Sequence, residues 1–463
     1  MNERFSIIKA KINCDCFHKG SEKVIKKITK DSIYLIKNQS FLRYAQLFTN
    51  IESDTLSTIE AFGLELEQAQ LANERERTLT RLKEKQALFR NNNKSIYINR
   101  ISSACEACQT GTDSYTTFVS IKCHRNCYFC FNENQDNYLH FLENKREARN
   151  ELAELVDAGY KLKHIALTGG EPLLFKDETI QFFQFAKEKA PESYTRLYTA
   201  GDLLTEELLQ QLKDAGLNEI RFSIKMEDSP KKRKHILGKI KLAKRYIPNV
   251  LVEMPVIPGT LDEMKELLIE LDKLDIFGIN LLEFCFPLKD PKPFIERGFK
   301  LKNPPYEMYY NYWYAGGLAI AMSEELCLEL TEFAIEQKLK LGVHYCSLEN
   351  KFTGQIYQQN HNQAVDKTYS FSNLDYFFKT AKVFGKDKRK IIALLEKNKI
   401  PFEINQQYDF IQFPIEAIKR LTGINIEIAI VSSIIEFDSN DSIVREVSVD
   451  WTTADLFQLG DVS

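Results

Sequence analysis

The sequence predicts an α/β protein built around a partial (β/α)6 barrel, with an N-terminal extension and a small C-terminal α+β appendage. Between about residues 115 and 290, six short β-branched or aromatic runs alternate with five amphipathic stretches. Right-handed crossovers between parallel strands would curl such units into an open barrel. A three-cysteine motif and a Gly-Gly-Glu motif follow the first two strands, and such folds place active residues at the carboxyl ends of strands.

The six predicted strands are short runs bounded by turn residues. In chain order they are YTTFVSIK, KHIALTG, YTRLYTA, EIRFSIK, NVLVEMPVI and INLLEFCF. The helices between them repeat apolar residues at i, i+3 and i+4 and begin or end on Gly, Asp or other polar residues. They cover residues 143–159, 176–190, 204–216, 232–247 and 261–274.

Four segments are predicted along the chain. Residues 1–110 form a mixed α/β extension, with a strand in DSIYLIK and a long helix over Thr55–Phe89. Residues 111–290 form the barrel. Residues 291–370 are irregular apart from the helix SEELCLELTEFAIEQKLKL. Residues 371–463 form the α+β domain, in which a basic helix precedes two strands joined by the turn-rich DSNDS.

The composition predicts a cytoplasmic protein of two or three domains. The 463 residues exceed one ordinary core, and the net charge of -3 gives no general attraction to nucleic acid or anionic membranes. No apolar run approaches the roughly 20 residues of a membrane span, and the N-terminus lacks a signal-peptide layout. The one dense basic run, Lys231–His235, is interpreted as a solvated helix start rather than a nucleic-acid site.

Three cysteines with C-x3-C-x2-C spacing follow the first strand: Cys123, Cys127 and Cys130. In a reducing compartment, clustered cysteines more often bind metal or react than form disulfides. Three thiolates suit either a tetrahedral zinc or a [4Fe–4S] cluster whose fourth iron is open. Zinc would need a fourth ligand, and His124 is poorly placed to share a metal with the cysteine beside it.

A second motif, LTGGEPLLF, lies at the end of the second strand. Gly169 and Gly170 would allow a ligand to approach the backbone, and their carbonyls can accept hydrogen bonds from an ammonium group. Glu171 follows them directly. Taken alone, this motif also fits a tight turn.

Together, in this order, the two motifs resemble those of the radical SAM superfamily over roughly residues 113–290. The resemblance implies a [4Fe–4S] cluster on Cys123, Cys127 and Cys130 whose open iron binds S-adenosyl-L-methionine (AdoMet). It also implies an external one-electron reductant and a 5′-deoxyadenosyl radical that takes a hydrogen atom from the substrate.

The same resemblance assigns further residues to AdoMet. Phe129 would contact the adenine, and Ile257 lies where the family often packs it. The methionine amino group would be lined by Gly169, Gly170 and Glu171, and the ribose would be contacted by Ser223. The sequence departs from the family at Ala200, where many members have Asn, and at Lys225, where a carboxylate is common. Lys225 either pairs with the methionine carboxylate or reaches solvent.

The pair Cys105-x2-Cys108 predicts two ligands of a second Fe–S cluster. Its spacing supplies only two of the ligands. The other candidates are Cys346, Cys285, Cys14 and Cys16.

Cys346 and Cys285 are also the candidate catalytic residues. Cys346 or the adjacent Tyr345 would return a hydrogen atom to the product, or Cys346 would carry a transferred methyl group. The alternatives are a structural residue in a polar turn for Cys346 and a small buried hydrophobe for Cys285. Cys327 is interpreted as a buried hydrophobe. Glu253 and Glu283 are either substrate contacts or buried paired carboxylates.

The predicted function is therefore that of a radical SAM enzyme, an oxidoreductase or a transferase. A peptide or protein substrate is slightly favoured, because the two extensions suit recognition of a macromolecule. A small metabolite or an RNA base is the alternative within this class. Two further alternatives are a non-catalytic zinc-binding protein and a radical SAM scaffold without turnover.

Overall fold

The computed structural model describes residues 25–68, 73–308, 317–438 and 441–462. Within them the strands are β1 (Lys26–Lys27), β2 (Leu88–Arg90), β3 (Ser95–Ile98), β4 (Ser114–Phe118), β5 (His164–Thr168), β6 (Tyr194–Thr199), β7 (Glu219–Phe222), β8 (Asn249–Val256), β9 (Gly278–Glu283), β10 (Cys285–Phe286), β11 (Leu318–Ala319), β12 (Gly342–Cys346), β13 (Ser370–Phe371), β14 (Phe378–Phe384), β15 (Glu403–Asn405), β16 (Phe410–Phe413), β17 (Glu427–Asp438) and β18 (Asp441–Thr453).

The helices are α1 (Gln39–Glu60), α2 (Asn73–Glu84), α3 (Ser103–Ala107), α4 (Tyr138–Glu143), α5 (Ala148–Asp157), α6 (Lys176–Lys189), α7 (Glu206–Asp214), α8 (Pro230–Ala243), α9 (Leu261–Lys273), α10 (Lys292–Ile295), α11 (Ser323–Glu336), α12 (Leu348–Asn360) and α13 (Lys388–Lys397). None of the helices in the described part of the chain has the length and apolarity needed to cross a bilayer.

A nine-stranded sheet with the order β2-β3-β12-β9-β8-β7-β6-β5-β4 forms the centre of the molecule. Strands β4 to β9 are parallel neighbours, as the partial-barrel prediction requires, and β12 continues the parallel set beside β9. Strands β3 and β2 complete this edge in antiparallel pairing. The middle of β5 is fully buried, as expected for a parallel strand covered on both faces.

The crossover helices form where the periodicity predicts them, and α7 shows why. The Thr205 side chain caps its start by accepting from the Leu208 amide, and two glutamates follow in the first turn. Leu208, Leu209 and Leu212 form one buried face. Gly216, at φ +84°, takes the left-handed conformation just beyond its end.

Strand β12 was not predicted, because residues 291–370 were expected to be irregular outside one helix. It is short and carries the polar His344, so local propensity is weak. Its side chains alternate. Val343 and Tyr345 are part of the main hydrophobic core, whereas His344 and Cys346 face the polar interior described below.

Two N-terminal predictions were wrong. The expected helix over Thr55–Phe89 is interrupted, since α1 ends at Glu60 and α2 begins at Asn73. Gly63 at φ +99° turns the chain between them. The expected strand in DSIYLIK is a 3-10 turn, because Asn38 caps α1 immediately afterwards and the chain must turn to enter the helix.

A seven-stranded antiparallel sheet has the order β1-β18-β17-β14-β16-β15, with β13 beside β14. Helix α13 covers one face of it, where Ile391 and Leu395 are part of the core. Helix α1 covers other strand residues through Phe41, whose ring stacks on Phe384 at a centroid distance of 4.8 Å. The N-terminal residues 25–60 thus pack against the C-terminal sheet.

Candidate active site at the carboxyl edge of the parallel sheet

The carboxyl ends of parallel strands meet at one edge of a sheet, so motifs far apart in sequence become neighbours there. We call residues 119–130, which follow β4, the cysteine loop. The Gly-Gly-Glu motif follows β5. Ser223 and Lys225 follow β7. This edge therefore collects the residues that the sequence assigned to a cluster and to AdoMet.

The three thiols of the cysteine loop lie close enough to influence one another's charge. Cys123 is exposed, while Cys127 and Cys130 are half-buried. Burial raises the pKa of Cys123 and Cys130, and negative charge on Cys127 would raise both further. The Lys225 ammonium contacts Cys127 Sγ and acts in the opposite direction, because it lowers the pKa of the other two thiols.

This donor set fits a [4Fe–4S] cluster with one iron left open, because three thiols come from one loop and a cation lies beside them. No three His, Cys, Asp or Glu side chains in the described ranges are arranged around a single metal ion. In a cubane each thiolate binds its own iron, so its ligands need not converge on one point.

The Gly-Gly-Glu motif is hydrogen-bonded to the base of the cysteine loop. The Gly170 amide donates to Ser120 O at 3.1 Å, and the Glu171 amide donates to Lys122 O at 2.8 Å. A Cβ at Gly170 would lie 2.0 Å from Lys122 O, a distance that no side chain tolerates. The second glycine is thus required by the close approach of two backbones.

Glu171 is buried and already accepts three hydrogen bonds. Its carboxylate accepts from Thr199 Oγ1 at 2.7 Å and from the amides of Ala200 and Leu173 at 2.7 and 3.1 Å. Burial raises its pKa, and these hydrogen bonds oppose the rise. Glu171 thereby joins the ends of β5 and β6. Its contact with the methionine amino group stays a prediction.

Arg125, inside the cysteine loop, was not among the predicted site residues. It pairs with Asp202 after β6 at 2.8 Å and with Asp228 after β7 at 2.7 Å. His124 also contacts Asp202, at 2.8 Å. Burial opposes ionisation of Asp202, but His124 and Arg125 outweigh it and lower the carboxyl pKa. The sequence did contain a signal for these ion pairs, because an arginine lies between the cysteines and an aspartate follows each of two parallel strands.

The remaining predicted AdoMet contacts also lie at this edge. The Phe129 ring packs on Phe284 at a centroid distance of 5.5 Å. The Ser223 amide donates to Thr199 O at 3.0 Å. Ile257 follows β8 and is buried. Their contacts with adenine and ribose stay predictions.

A buried polar network occupies the inner face of the sheet, the face opposite the crossover helices. We call it the inner-face network, and its members are Cys105, Glu219, Arg221, Glu253, Asn280 and His344. Arg221 pairs with Glu219 at 2.6 Å and with Glu253 at 2.5 Å. Cys105 Sγ, on α3, accepts from Arg221 at 3.2 Å and from Asn280 at 3.3 Å.

His344 is neutral in this network, and its tautomer follows from its partners. Asn280 Oδ1 can only accept, so His344 Nδ1, 3.0 Å away, carries the proton. Nε2 then accepts from the Ser95 hydroxyl at 2.9 Å. Burial lowers the pKa of His344 to about 3. This role was not predicted, since a lone histidine in a polar stretch gives no local signal.

This depressed pKa makes stability fall in acid. Below the ordinary pKa of about 6.5, only the unfolded chain binds a proton at this position, so unfolding becomes more favourable as the pH falls. Between about pH 7.5 and about pH 5 the loss is about 2 kcal/mol. We expect His344→Gln to remove this loss of about 2 kcal/mol from the pH dependence of the free energy of unfolding, measured by urea titration. Parallel curves for both proteins would contradict the assignment, because the other titrating groups are common to both.

Cys346, the last residue of β12, lies near enough to Cys108 and Cys105 for their charge to act on it. Burial raises the pKa of Cys346 to about 12, and charge on Cys108 or Cys105 would raise it further. Cys346 Sγ accepts from Asn350 at 3.3 Å. Cys285, on β10, is half-buried, and burial raises its pKa to about 11. Cys14 and Cys16 lie outside the described residues.

Other residues singled out from the sequence are paired or in the core. Glu253 is paired within the inner-face network, and Glu283 pairs with Lys302 at 2.9 Å. Cys327 and Tyr345 are fully buried in the main hydrophobic core. Tyr345 therefore lies on the face of β12 away from the candidate site.

The parallel sheet, the cysteine loop after β4 and the Gly-Gly-Glu loop after β5 define an α/β protein with its candidate site at one sheet edge. The family model described as the radical SAM superfamily matches residues 117–271. Residues 117–271 therefore form a radical SAM domain.

Three similar proteins illustrate the range of this similarity. A Methanocaldococcus jannaschii protein named "Putative glycyl-radical enzyme activating enzyme" is 29% identical, over 66% of this chain and 80% of its own. A Methanococcus aeolicus "Probable GTP 3',8-cyclase" is 32% identical over 28% of this chain, which covers 42% of the cyclase. Streptococcus suis SuiB, solved with its precursor peptide SuiA, is 13% identical, over 70% of this chain and 67% of that one, with a TM-score of 0.37.

Proposed function

We propose that the chain holds a [4Fe–4S] cluster on Cys123, Cys127 and Cys130 and binds AdoMet at its open iron. When bound and reduced by an external one-electron donor, this pair would supply a 5′-deoxyadenosyl radical that abstracts hydrogen from the substrate. The observation that carries the proposal is the cysteine loop hydrogen-bonded to the Gly-Gly-Glu loop at the carboxyl edge of the parallel sheet.

The chain's own residues would position these groups. Arg125 ties the cysteine loop to the ends of β6 and β7, which fixes the spacing of the thiols. Glu171 orients the Gly-Gly-Glu loop through its bonds to Thr199 and Ala200. Lys225, with its ammonium already beside Cys127, would meet the methionine carboxylate. Phe129 and Ile257 would cover the adenine, and Ser223 would contact the ribose.

Cys346 and Cys285 are the proposed catalytic residues. Their pKa values of about 12 and about 11 mean that each keeps its S–H hydrogen at neutral pH. A protonated thiol is the form that can return a hydrogen atom to a carbon-centred product. The competing proposal for this region is a second Fe–S cluster on Cys105 and Cys108. Cys346 would be a further ligand, because it lies close enough to both cysteines for their charge to raise its pKa.

We further propose a peptide or protein substrate. The support is the similarity to the M. jannaschii protein, whose name describes an enzyme that activates a glycyl-radical enzyme, and thus another protein. A small metabolite or an RNA base is the alternative. The similarity to the GTP 3',8-cyclase, which covers 28% of this chain, supports a small nucleotide as the substrate.

The reaction is tested by measuring 5′-deoxyadenosine by mass spectrometry after incubating anaerobically reconstituted protein with AdoMet and dithionite. Formation of 5′-deoxyadenosine is expected without added substrate, at a slow rate. If brown, iron-loaded protein forms no 5′-deoxyadenosine even when host extract is added, the proposal that the protein cleaves AdoMet is wrong. Colourless, zinc-loaded protein would support the metal-binding alternative.

The substrate class is tested by adding size-separated extract of the native host. A peptide or protein substrate should accelerate 5′-deoxyadenosine formation from the macromolecular fraction, and prior protease digestion should remove the stimulation. Stimulation that survives digestion and resides in the small-molecule fraction would favour the metabolite alternative. Stimulation destroyed by ribonuclease would favour RNA.

A further inference from the structure

The basic run Lys231–His235, interpreted from the sequence as a solvated helix start, lies at the start of α8 and beside the candidate site. Lys232 pairs with Asp228 at 3.3 Å, and Asp228 also pairs with Arg125 of the cysteine loop at 2.7 Å. A single carboxylate therefore links the start of α8 to the loop that carries the three thiols. This loop reaches the surface, where Cys123 is exposed.

Helix stability does not explain these cations. The amino end of a helix carries partial positive charge, so acidic residues stabilise it and basic residues destabilise it. The helices α5, α6, α7 and α9 follow this rule, because each has at least one acidic residue in its first turn. Helix α8 has none there, and Lys231, Lys232 and Arg233 follow its first residue. The cations at this end cost helix stability, which points to a role outside the helix.

Positive charge is concentrated at this place on the surface. Residues 119–130 and 223–234 together hold seven lysines or arginines and two acidic residues, although the whole chain has a net charge of -3. Lys122, Lys231 and Lys234 are exposed, and within the described ranges their ammonium groups have no hydrogen-bond or ion-pair partner. We call these three lysines the basic surface. It would attract an anionic partner to the edge of the sheet that carries the cysteine loop.

We propose that the basic surface docks an acidic protein that carries one electron, and that this partner is the external donor. The inference rests on the proposed function, which needs such a donor at the cysteine loop. One electron would pass from the reduced carrier to the oxidised cluster, so the carrier loses one electron, the cluster gains it and no atom is transferred. Electron transfer falls steeply with distance, so the carrier must dock close to the thiols. Complexes of this kind bury little surface, and charge sets their rate of association.

An RNA partner fits the basic surface less well. Proteins hold RNA through phosphate contacts together with aromatic side chains on which unpaired bases stack. Neither residues 119–130 nor residues 223–234 expose a Phe, Tyr or Trp side chain, since Tyr128 and Phe129 pack against Phe284. The charge near the cysteine loop therefore favours an acidic protein over a nucleic acid.

The first test measures binding by surface plasmon resonance at low ionic strength, with the full, anaerobically reconstituted chain and an acidic flavodoxin as the probe. The wild type should bind flavodoxin, and added salt should weaken the complex. Lys231→Glu/Lys234→Glu should bind about tenfold more weakly or worse. The matched control is Lys213→Glu/Lys241→Glu, which makes the same change of charge at exposed lysines in the last turns of α7 and α8. This control should bind flavodoxin as the wild type does.

The second test measures 5′-deoxyadenosine formation with two reductants. At limiting reduced flavodoxin, Lys231→Glu/Lys234→Glu should form 5′-deoxyadenosine about tenfold more slowly than the wild type. With excess dithionite and methyl viologen, a cationic mediator that a basic surface does not attract, the two rates should be equal. The double variant should also be at least as stable as the wild type in urea titration, because acidic residues suit the start of a helix.

Equal flavodoxin binding by the wild type and Lys231→Glu/Lys234→Glu would overturn the inference, as would a wild type that does not bind flavodoxin. An equal loss of binding in Lys213→Glu/Lys241→Glu would also overturn it, because only overall charge would then matter. If the double variant loses binding of single-stranded RNA but keeps that of flavodoxin, the surface serves nucleic acid instead. Failure of the proposed function would appear separately, as wild-type protein that binds flavodoxin but forms no 5′-deoxyadenosine with dithionite and methyl viologen.

Discussion

Replacing Cys127 with alanine is expected to abolish 5′-deoxyadenosine formation in the anaerobic assay. Cys127 is the central member of the cysteine loop, and its thiol touches Lys225 and influences the other two thiols. Changing a residue that merely orients a metal ligand costs about 10- to 100-fold in affinity or activity. Loss of a ligand itself should exceed that range, and the iron content per chain should fall with the activity.

Cys327→Ala is the matched control for this substitution. Cys327, on α11, is fully buried in the main hydrophobic core, so its replacement should cost about 1 kcal/mol of stability and leave cofactor cleavage nearly unchanged. Full cleavage by Cys127→Ala would show that the cysteine loop does not hold the cluster. Equal loss in both variants would indicate a general effect on folding.

Replacing Gly170 with alanine is expected to destabilise the protein by about 3–5 kcal/mol and to lower its iron content. The new Cβ would lie 2.0 Å from Lys122 O and 2.3 Å from Ile121 O. Both are backbone atoms and cannot rotate away, so the Gly-Gly-Glu loop must separate from the cysteine loop. The hydrogen bonds from Gly170 to Ser120 and from Glu171 to Lys122 would then break.

Gly238→Ala is the control, since Gly238 lies within α8 and an added Cβ meets nothing within 4 Å. A helical glycine-to-alanine change should stabilise by up to about 1 kcal/mol. The measurements are the free energy of unfolding, from urea titration, and the iron content per chain, each compared between the two variants and the wild type. Gly170→Ala with wild-type stability and iron content would mean that the two loops do not need their close contact.

The barrel could be predicted because its elements carry local patterns. Strands β4 to β9 lie in short β-branched or aromatic runs bounded by turn residues, and α5 to α9 show helical periodicity. The candidate site could be predicted as far as its residues are contiguous in sequence, namely C-x3-C-x2-C and Gly-Gly-Glu. The break between α1 and α2 could not, because the charged residues after Glu60 continue a helical pattern that the turn at Gly63 ends.

The sequence by itself determined the fold class and the radical SAM resemblance of the barrel, and it predicted the residues that would hold the cluster. Each of these depends on neighbouring residues or on one short spacing. The tertiary structure decided what surrounds them. Arg125 pairs with Asp202, 77 residues away in sequence, and with Asp228, 103 residues away. The pairing of β12 with β9 and β3 also joins segments that are far apart in the sequence. Contacts of this kind are set by packing and long-range hydrogen bonding between segments far apart in sequence, so they became visible only in the folded chain.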